Sequence, residues 1–364
     1  MQSDRSLSFL NLNTLSAPAA RFIRFFLMTF RYISYLLIIL TFTGCEQAAE
    51  TQLSGSIQGT TYHIKMVMDK VEATPEQVKT DVEAVFKLVD EKLSNWREDS
   101  EISRVNQQKT TDWISVSPEI IQLVTIAKDI HQRSEGCYDL TVKPLFDLWG
   151  FSKHESRVPE QGEIDRTLTH VGMSKLEVDA ENGRIRKLDP ELMIDLSSIA
   201  QGYTVGAVAD RLESRGIHDY LAEIGGEMKV KGRKANGAPW RVAIEKPTLL
   251  VREVQRILDI HQENGAAVMT SGTYRNFFES GGQSYSHILN PKTGRPVTHN
   301  LLSVTVLHDD PTLADAWSTA LLCVGEIEGP KIAEAEGLKA LFIYRDGQEL
   351  KERMSSQFTS APTP

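Results

Sequence analysis

Residues 195–216 read DLSSIAQGYTVGAVADRLESRG, a stretch that predicts a helix rich in small side chains. Capping residues precede this helix, and Gly216 stands where the helix is expected to end. Strand patterns follow it at Tyr220–Ile224, Met228–Lys231, Trp240–Ile244, Arg256–Ile260, Ala266–Thr270 and Leu301–Leu307. Because a doubly wound sheet alternates strands with helices, these runs of strands favour an α+β fold, in which mixed or antiparallel sheets pack against helices.

Three further helices are predicted from their N-terminal signals and apolar periodicity. Thr74-Pro75-Glu76-Gln77 combines a cap, a first-turn proline and a capping-box glutamine ahead of an apolar stripe. Ser117-Pro118-Glu119 predicts a second helix, which runs toward Gly136. The last helix runs from Thr312 to Leu322 and leads to a closing strand. No repeat of fixed period is evident, and we expect one domain over residues 53–350.

The composition excludes several functional classes. The chain has 364 residues, is 41% apolar and carries a formal net charge of −9 without a block of Lys or Arg, which argues against nucleic acid as a partner. Cys45, Cys137 and Cys323 lack the short spacings of zinc or iron–sulfur sites, so a metal ion would need oxygen ligands. Cys137 and Cys323 lie in apolar surroundings, and we expect two buried thiols rather than a disulfide.

The N-terminal residues predict an exported protein. Arginines precede an uncharged, largely apolar stretch that ends at Gly44-Cys45. Basic, apolar and small-residue regions in this order are typical of a signal peptide, and the stretch resembles a bacterial lipoprotein signal. Residues 1–44 are then the signal, which would have an ordinary length if translation begins at Met28, and Cys45 is the lipidated residue. An uncleaved signal anchor and an ordinary signal with a chance cysteine are the alternatives.

A lipidated Cys45 places the protein in the cell envelope. The anchor would hold it at the membrane, with the folded domain facing the periplasm or the outside of the cell. Residues 45–52 are predicted to form a short polar tether. Residues 351–364 end in a segment rich in Ser, Thr and Pro, and we expect this tail to be disordered.

One pair of polar residues and one helix start are candidates for chemistry. Asp315 and Thr319 lie four residues apart on a predicted helix, so a carboxylate and a hydroxyl point from one face. Hard oxygen ligands of this kind suit Mg²⁺, although Asp315 could also stabilise the first helical turn while Thr319 bonds to the backbone. The start of the 195–216 helix, with Gly202, could bind a phosphate or form an ordinary cap.

Two further positions have both a functional and a structural interpretation. His287 stands beside a Pro-Lys-Thr-Gly turn, where it could accept a proton or serve as a structural histidine. Gly225-Gly226-Glu227 lies between strand patterns and is typical of a tight turn, with a close approach to a ligand as the alternative. The chain lacks a Walker A loop, a Gly-x-Ser-x-Gly motif and a GxGxxG motif in its proper context, which disfavours the familiar nucleotide and hydrolase folds.

Several polar blocks, most of which contain glycine, follow one another along the chain. They are Gly59-Thr60-Thr61-Tyr62, Asn95–Ser103, Tyr138–Phe151, Ile194–Tyr203, Thr270-Ser271-Gly272 with Ser286–Gly294, and Ala314–Thr319. In their order and spacing these blocks resemble the ApbE family of FAD:protein FMN transferases. The resemblance covers the chain from about Gly55 to Tyr344 and implies an ApbE-like α+β fold.

The resemblance also implies ligands. Mg²⁺ would be held by the carboxylate of Asp315, the hydroxyl of Thr319 and a main-chain carbonyl near Ser198. The residues implied to contact FAD are Gly59, Trp96, Cys137, Tyr138, Asp139, Asp195, Gln201, Ser271, Gly272 and His287.

The implied reaction is the transfer of FMN from FAD to a Thr or Ser hydroxyl of an exported acceptor protein, with release of AMP. The acceptors would include flavin-carrying subunits of membrane redox complexes. Asp315 would act through the metal, and His287 is the candidate to accept the hydroxyl proton. Two alternatives use the same residues. One is a Mg²⁺-dependent FAD pyrophosphatase that gives FMN and AMP, and the other is a flavin-binding lipoprotein without turnover.

Overall fold

The computed structural model describes residues 50–57, 59–69, 71–152, 155–248, 253–261 and 265–358. The predicted signal peptide, Cys45 and the first part of the predicted tether lie outside the described residues. None of the helices in the described ranges combines the length and the apolar character that a membrane span requires.

Helices and strands are numbered in chain order. The helices are α1 Pro75–Leu93, α2 Glu101–Gln107, α3 Pro118–Arg133, α4 Lys143–Trp149, α5 Gln161–Leu168, α6 Ala200–Ser214, α7 Pro311–Val324 and α8 Gly329–Ala335. The first strands are β1 Glu50–Ile57, β2 Thr60–Val67, β3 Trp113–Ser115, β4 Leu176–Asp179, β5 Arg184–Lys187, β6 Tyr220–Ile224, β7 Glu227–Lys231, β8 Trp240–Glu245 and β9 Val254–Ile260. The remaining strands are β10 Ala266–Gly272, β11 Phe277–Ser280, β12 Gln283–Ser286, β13 Leu289–Asn290, β14 Arg295–Pro296, β15 Leu301–His308, β16 Lys339–Asp346 and β17 Glu349–Met354.

The main sheet is antiparallel throughout. Its eight strands follow the order β1-β2-β6-β7-β10-β15-β16-β17, and each neighbouring pair is antiparallel. Strands β6 and β7 are joined at Gly225 and Gly226, whose φ angles of 62° and 101° glycine adopts without steric penalty. An antiparallel sheet with packed helices confirms the α+β prediction.

The two faces of the main sheet have different covers. Because side chains alternate along a strand, Ala267 and Met269 of β10 belong to the core shared with helices α1, α3, α6 and α7. Val268, between them, belongs to a second core on the opposite face. That second core includes Trp240 and Leu258 of the β8–β9 hairpin. Helices therefore cover one face of the sheet, and the hairpin packs on the other.

Helices α6 and α7 approach each other at a glycine. A Cβ atom at Gly202 would lie 2.5 Å from the Cβ of Asp315 and would also collide with the carbonyl oxygen of Pro311. The small-residue pattern predicted for α6 is thus used for close packing against α7. This contact sets the position of Asp315 relative to the start of α6.

The structure corrects the predicted ends of the domain. The tether prediction is wrong for residues 50–52, because β1 begins at Glu50. The prediction of a disordered tail is wrong for residues 351–358, because β17 pairs with β16 through Met354 and the Phe358 ring is buried in the second core. Residues 359–364 lie outside the described residues. The mostly polar composition of residues 351–364 predicts disorder, but the buried Phe358 ring holds this segment to the sheet.

The prediction of two free thiols is also wrong. Cys137 and Cys323 form a disulfide, with Cα atoms 5.9 Å apart across 186 residues of sequence. Cys137 follows the end of α3, and Cys323 lies in the last turn of α7. The sequence showed apolar surroundings at both positions but could not show that the two segments meet.

Opening this disulfide is expected to lower the stability of the fold. Replacing both cysteines with serine should reduce the free energy of unfolding by about 2–4 kcal/mol, because the cross-link restricts the unfolded chain. Urea denaturation with a fluorescence readout measures the change, and a reductant should bring the unmodified protein to the same midpoint. Equal midpoints for the oxidised protein, the reduced protein and the double variant would contradict the prediction.

Candidate active site

Most of the predicted site residues line one cavity of about 610 Å³. The predicted residues in its wall are Trp96, Cys137, Tyr138, Asp139, Asp195, Ser198, Gln201, Ser271, Gly272, His287, Asp315 and Thr319. They come from α7, the start of α6, strand β10 and the loops that follow α1, α3 and β12. The fold therefore collects blocks that are far apart in the sequence into a single site.

Gly59 is the exception among the predicted ligands. It occupies the turn between β1 and β2, with a φ of 76°, and it is not part of the cavity wall. The neighbouring strand β2 pairs with β6, and the amide of Gly225 donates a hydrogen bond of 2.9 Å to the carbonyl of Thr61. The Gly59 turn is thus at the same end of the sheet as Gly225, which does line the cavity.

Asp315 and Thr319 present oxygen atoms from one face of α7. The amide of Gly202 donates a 2.7 Å hydrogen bond to Oδ2 of Asp315. The hydroxyl of Ser271 lies 2.9 Å from Oγ1 of Thr319 and 2.7 Å from Oγ of Ser318. These contacts fix α7 against the start of α6 and against β10.

A second acidic residue stands beside this pair. Burial raises the pKa of Asp315 to about 7. Burial, together with the charge of Asp315, raises the pKa of Glu227 well above its ordinary value. The amide of Thr270 donates a 3.0 Å hydrogen bond to Oε2 of Glu227. The cavity therefore concentrates carboxyl groups in a place where they are poorly solvated.

The third predicted metal ligand is held by a buried tyrosine. The hydroxyl of Tyr138 donates to the main-chain carbonyl of Ser198 at 3.3 Å, and the Ser198 hydroxyl donates to Tyr138 at 3.1 Å. The Tyr138 ring is buried. Burial raises the pKa of this phenol, so it stays protonated and remains a donor.

The oxygen atoms of Asp315, Thr319 and the Ser198 carbonyl fit Mg²⁺. A carboxylate, a hydroxyl and a main-chain carbonyl are the hard oxygen ligands that Mg²⁺ accepts, with phosphate oxygens completing its shell. A cation would also offset the cost of ionising two buried carboxyl groups. Among the described residues, no group of three or more His, Cys, Asp or Glu side chains could hold a metal ion. A Mg²⁺ ion would be held instead by the mixed set of carboxylate, hydroxyl and carbonyl oxygens.

Two aspartates shape the cavity wall by the same local pattern. In Asp139-Leu140-Thr141, Oδ1 of Asp139 accepts from the amide of Thr141 at 2.7 Å and from its hydroxyl at 2.5 Å. In Asp195-Leu196-Ser197, Oδ1 of Asp195 accepts from the amide of Ser197 at 2.8 Å and from its hydroxyl at 2.5 Å. The other carboxyl oxygen of Asp139 accepts from the amide of Met173 at 3.1 Å. Both carboxylates thus stabilise backbone turns beside the cavity by accepting these hydrogen bonds.

The hydrogen bond and the burial of His287 give it the form of a proton acceptor. Its Nδ1 lies 2.9 Å from the carbonyl oxygen of Asn276, so Nδ1 carries the proton and Nε2 carries the lone pair. Burial lowers the pKa of His287 below its ordinary value. The neutral ring therefore predominates near pH 7, which is the form that a general base requires.

Two other predicted ligands differ in exposure. The Trp96 ring is 69% exposed at the edge of the cavity, a position suited to stacking on a planar ligand. Gln201 is partly buried, and its amide donates a 2.8 Å hydrogen bond to the carbonyl of Ile224. Trp96 is thus available to a ligand, whereas Gln201 is engaged with the β6–β7 turn.

Sequence reasoning missed Glu227 and Arg275. Gly225-Gly226-Glu227 was interpreted as a turn, and that interpretation is correct for the glycines, yet Glu227 is a buried acid in the cavity wall. Arg275 also lines the cavity and forms an ion pair with Glu245, and its charge offsets part of the rise in the pKa of Glu227. The available signals were a glutamate directly before the strand pattern Met228–Lys231 and an arginine shortly after the strand pattern Ala266–Thr270.

Residues 58–342 match the model of the ApbE family. This chain belongs to the ApbE family. It is 40% identical over 324 residues to the FAD:protein FMN transferase of Vibrio cholerae, covering 88% of this chain and 95% of that protein. It is 34% identical to the FAD:protein FMN transferase of Escherichia coli K12 over 92% of this chain and 97% of that protein.

Solved structures of the ApbE family share the fold. The flavin transferase ApbE from Vibrio cholerae aligns with a TM-score of 0.78 and 38% identity, over 85% of this chain and 98% of that one. The flavinyl transferase ApbE of Pseudomonas stutzeri aligns with a TM-score of 0.78 and 35% identity, over 85% and 96%. The family resemblance inferred from the sequence blocks is confirmed.

Proposed function

We propose that this member of the ApbE family transfers FMN from FAD to a Thr or Ser hydroxyl of an acceptor protein and releases AMP. The observation that carries the proposal is the convergence of Asp315, Thr319 and His287 on one cavity. The names of its relatives, FAD:protein FMN transferases, supply the reaction class.

The reaction makes one bond and breaks one. The acceptor oxygen bonds to the phosphorus of the FMN half, the bond from that phosphorus to the bridging oxygen breaks, and AMP leaves with the bridging oxygen. Nε2 of His287 carries the lone pair that can accept the acceptor's hydroxyl proton. Because the ring is held through Nδ1, its orientation is set before the acceptor arrives.

We propose that Mg²⁺ is held by Asp315, Thr319 and the carbonyl of Ser198. When bound, it would neutralise the charge that develops on the pyrophosphate oxygens. Gly202 holds the Asp315 carboxylate, Ser271 holds the Thr319 hydroxyl, and Tyr138 holds the Ser198 carbonyl. Each proposed ligand is thus oriented by a neighbour that is not itself a ligand.

The test uses the full chain in mild detergent with FAD, Mg²⁺ and an exported acceptor domain that carries a flavin-accepting threonine. Covalent flavin fluorescence on the acceptor in a denaturing gel, lost with EDTA and lost when that threonine becomes alanine, supports the proposal. Mg²⁺-dependent AMP and free FMN without labelled acceptor would indicate a pyrophosphatase instead. FAD binding without either product would indicate a flavin-binding protein.

Replacing His287 with alanine should lower the rate of transfer by about 10²–10⁴-fold, the range for loss of a general base. In the unmodified protein at saturating Mg²⁺, the rate should rise with pH below pH 6.5 and be level at pH 7, because burial lowers the pKa of His287 below its ordinary value. The variant should lose this rise. A wild-type rate and pH profile in a variant that still binds FAD would remove His287 from the mechanism.

We also propose that the protein is a lipoprotein of the cell envelope, anchored through Cys45, with flavin-carrying subunits of membrane redox complexes as its acceptors. The basic, apolar and small-residue regions before Cys45 support the anchor. Replacing Cys45 with serine should move the protein from the membrane fraction to the soluble fraction, measured by immunoblot after cell fractionation. Unchanged retention at the membrane would require another anchor.

A further inference from the structure

The Cys137–Cys323 disulfide is part of the cavity wall. Both cysteines line the cavity, Cys323 is buried, and Cys137 is half-buried. The bond therefore joins two segments of the cavity wall, the last turn of α7 and the loop after α3. Neither cysteine takes part in the bond-forming step or in the proposed Mg²⁺ ligand set.

On the α7 side, the disulfide shares a helix face with the metal pair. Asp315, Thr319 and Cys323 are spaced by four residues, and all three line the cavity. Each four-residue step advances about 6 Å along a helix and turns by about 40° beyond a full turn, so Cys323 stands about 12 Å beyond Asp315 and about 80° around the helix from it, still on the side that lines the cavity. A constraint at Cys323 thus acts on the helix that carries two of the three proposed ligands.

On the loop side, the disulfide is next to the tyrosine that holds the third ligand. Tyr138 follows Cys137, and its hydroxyl bonds to the carbonyl of Ser198. The amide of Tyr138 donates to the Ser134 hydroxyl at 3.1 Å, and Nδ1 of His131 lies 2.7 Å from the Tyr138 carbonyl oxygen. These contacts hold the Tyr138 backbone at both its amide and its carbonyl, so a constraint at the adjacent Cys137 acts on the residue that holds Ser198.

We propose that the Cys137–Cys323 disulfide is a positioning element of the proposed Mg²⁺ site. It fixes the spacing between α7, with Asp315 and Thr319, and the loop whose Tyr138 holds the Ser198 carbonyl. When the bond is open, the three oxygens keep their average positions, but the distances between them are no longer fixed. Mg²⁺-dependent binding of FAD then becomes weaker. This inference rests on the proposed function.

The fold has other contacts that keep these segments together when the bond is open. Leu321 and Leu322 of α7 are buried in the main core, and the Arg133 guanidinium lies over the Trp317 ring at 5.4 Å. Reduced protein should therefore remain folded, which permits binding measurements on it.

The experiment measures the affinity for FAD by isothermal titration calorimetry, on the full chain in detergent, with either MgCl₂ or EDTA. The disulfide is opened with a water-soluble phosphine, which takes oxygen from one water and becomes phosphine oxide while the two sulfurs gain two electrons and two protons. We expect reduction to weaken binding in Mg²⁺ by roughly tenfold, the lower range for groups that orient metal ligands. Binding in EDTA should change much less.

The double variant Cys137→Ser/Cys323→Ser is the matched control. It should bind FAD in Mg²⁺ as weakly as the reduced protein and should not respond to the phosphine, since Cys45 is the remaining cysteine. If that variant fails to fold, reduction of the folded wild-type protein still decides the question. Thermal denaturation of each sample shows that it is folded.

Three outcomes would overturn the inference. Equal affinity in Mg²⁺ before and after reduction would make the disulfide a stabilising cross-link only. Equal weakening in Mg²⁺ and in EDTA would mean that the whole pocket loosens rather than the metal site. Oxidised protein that binds FAD equally well in Mg²⁺ and in EDTA would overturn the proposed metal site itself, and this result is distinguishable from the first two.

Discussion

Replacing Asp315 with asparagine is expected to lower the rate of FMN transfer by at least about 10²-fold, because a metal ligand matters no less than the neighbours that orient it. The asparagine oxygen can still accept the Gly202 amide that now bonds to Asp315. The variant therefore keeps the shape of the site and loses its charge. Labelling of the acceptor at saturating FAD and increasing Mg²⁺ measures the loss.

The same variant should not lose stability, and this separates a metal ligand from a structural acid. Burial raises the folded-state pKa of Asp315 to about 7 from an ordinary value near 4. Since the unfolded state releases its proton first, the free energy of unfolding falls as pH rises through this window. In EDTA, Asp315→Asn should therefore be at least as stable as the wild type at pH 8 and should lose less stability between pH 5 and pH 8. Near-normal transfer by this folded variant would refute the metal assignment.

Replacing Gly202 with alanine is expected to reduce both stability and transfer. The added methyl would collide with the Pro311 carbonyl and lie 2.5 Å from the Cβ of Asp315, so α6 and α7 must separate. Overpacking of this kind costs about 1–3 kcal/mol in the free energy of unfolding. Displacement of Asp315 should lower the transfer rate by about tenfold or more, since small misplacements of positioning groups have large kinetic effects.

Gly206→Ala is the matched control on the same helix. A Cβ at Gly206 would meet Pro311 Cγ at 3.5 Å, an ordinary contact. Alanine is favoured over glycine inside a helix, so this variant should be as stable as the wild type or more stable by about 0.4–1 kcal/mol, with unchanged transfer. Urea denaturation and acceptor labelling on both variants give the comparison. Equal behaviour of the two variants would contradict the close-packing argument.

Local sequence signals predicted several elements well. The capping box at Thr74 and the first-turn prolines at Pro75 and Pro118 mark the starts of α1 and α3 as the structure has them. These signals work because the groups that satisfy a helix terminus lie within a few residues of it. The α+β class followed from strand runs without intervening helices, and the antiparallel sheet confirms it.

Such local rules could not predict where the domain ends or that the two cysteines pair. Phe358 holds the C-terminal segment because its ring belongs to the same core as Trp240 of β8 and Leu258 of β9, which lie about a hundred residues earlier and which no composition brings to notice. Cys137 and Cys323 were expected to be separate thiols, since only the packing of α7 beside the loop after α3 brings them together. Errors arose where distant segments meet.

For the site, the sequence by itself determined the family and predicted which residues would carry the chemistry, because motif blocks such as Ala314–Thr319 depend on short, local spacing. Only the tertiary structure decided that Glu227 is buried near Asp315, that His287 is held through Nδ1 and that a disulfide joins two walls of the cavity. The physical reason is that burial, hydrogen-bond partners and pKa are properties of neighbours in space. Those neighbours are set by how the sheet and α7 pack, over separations that the pattern of the sequence does not encode.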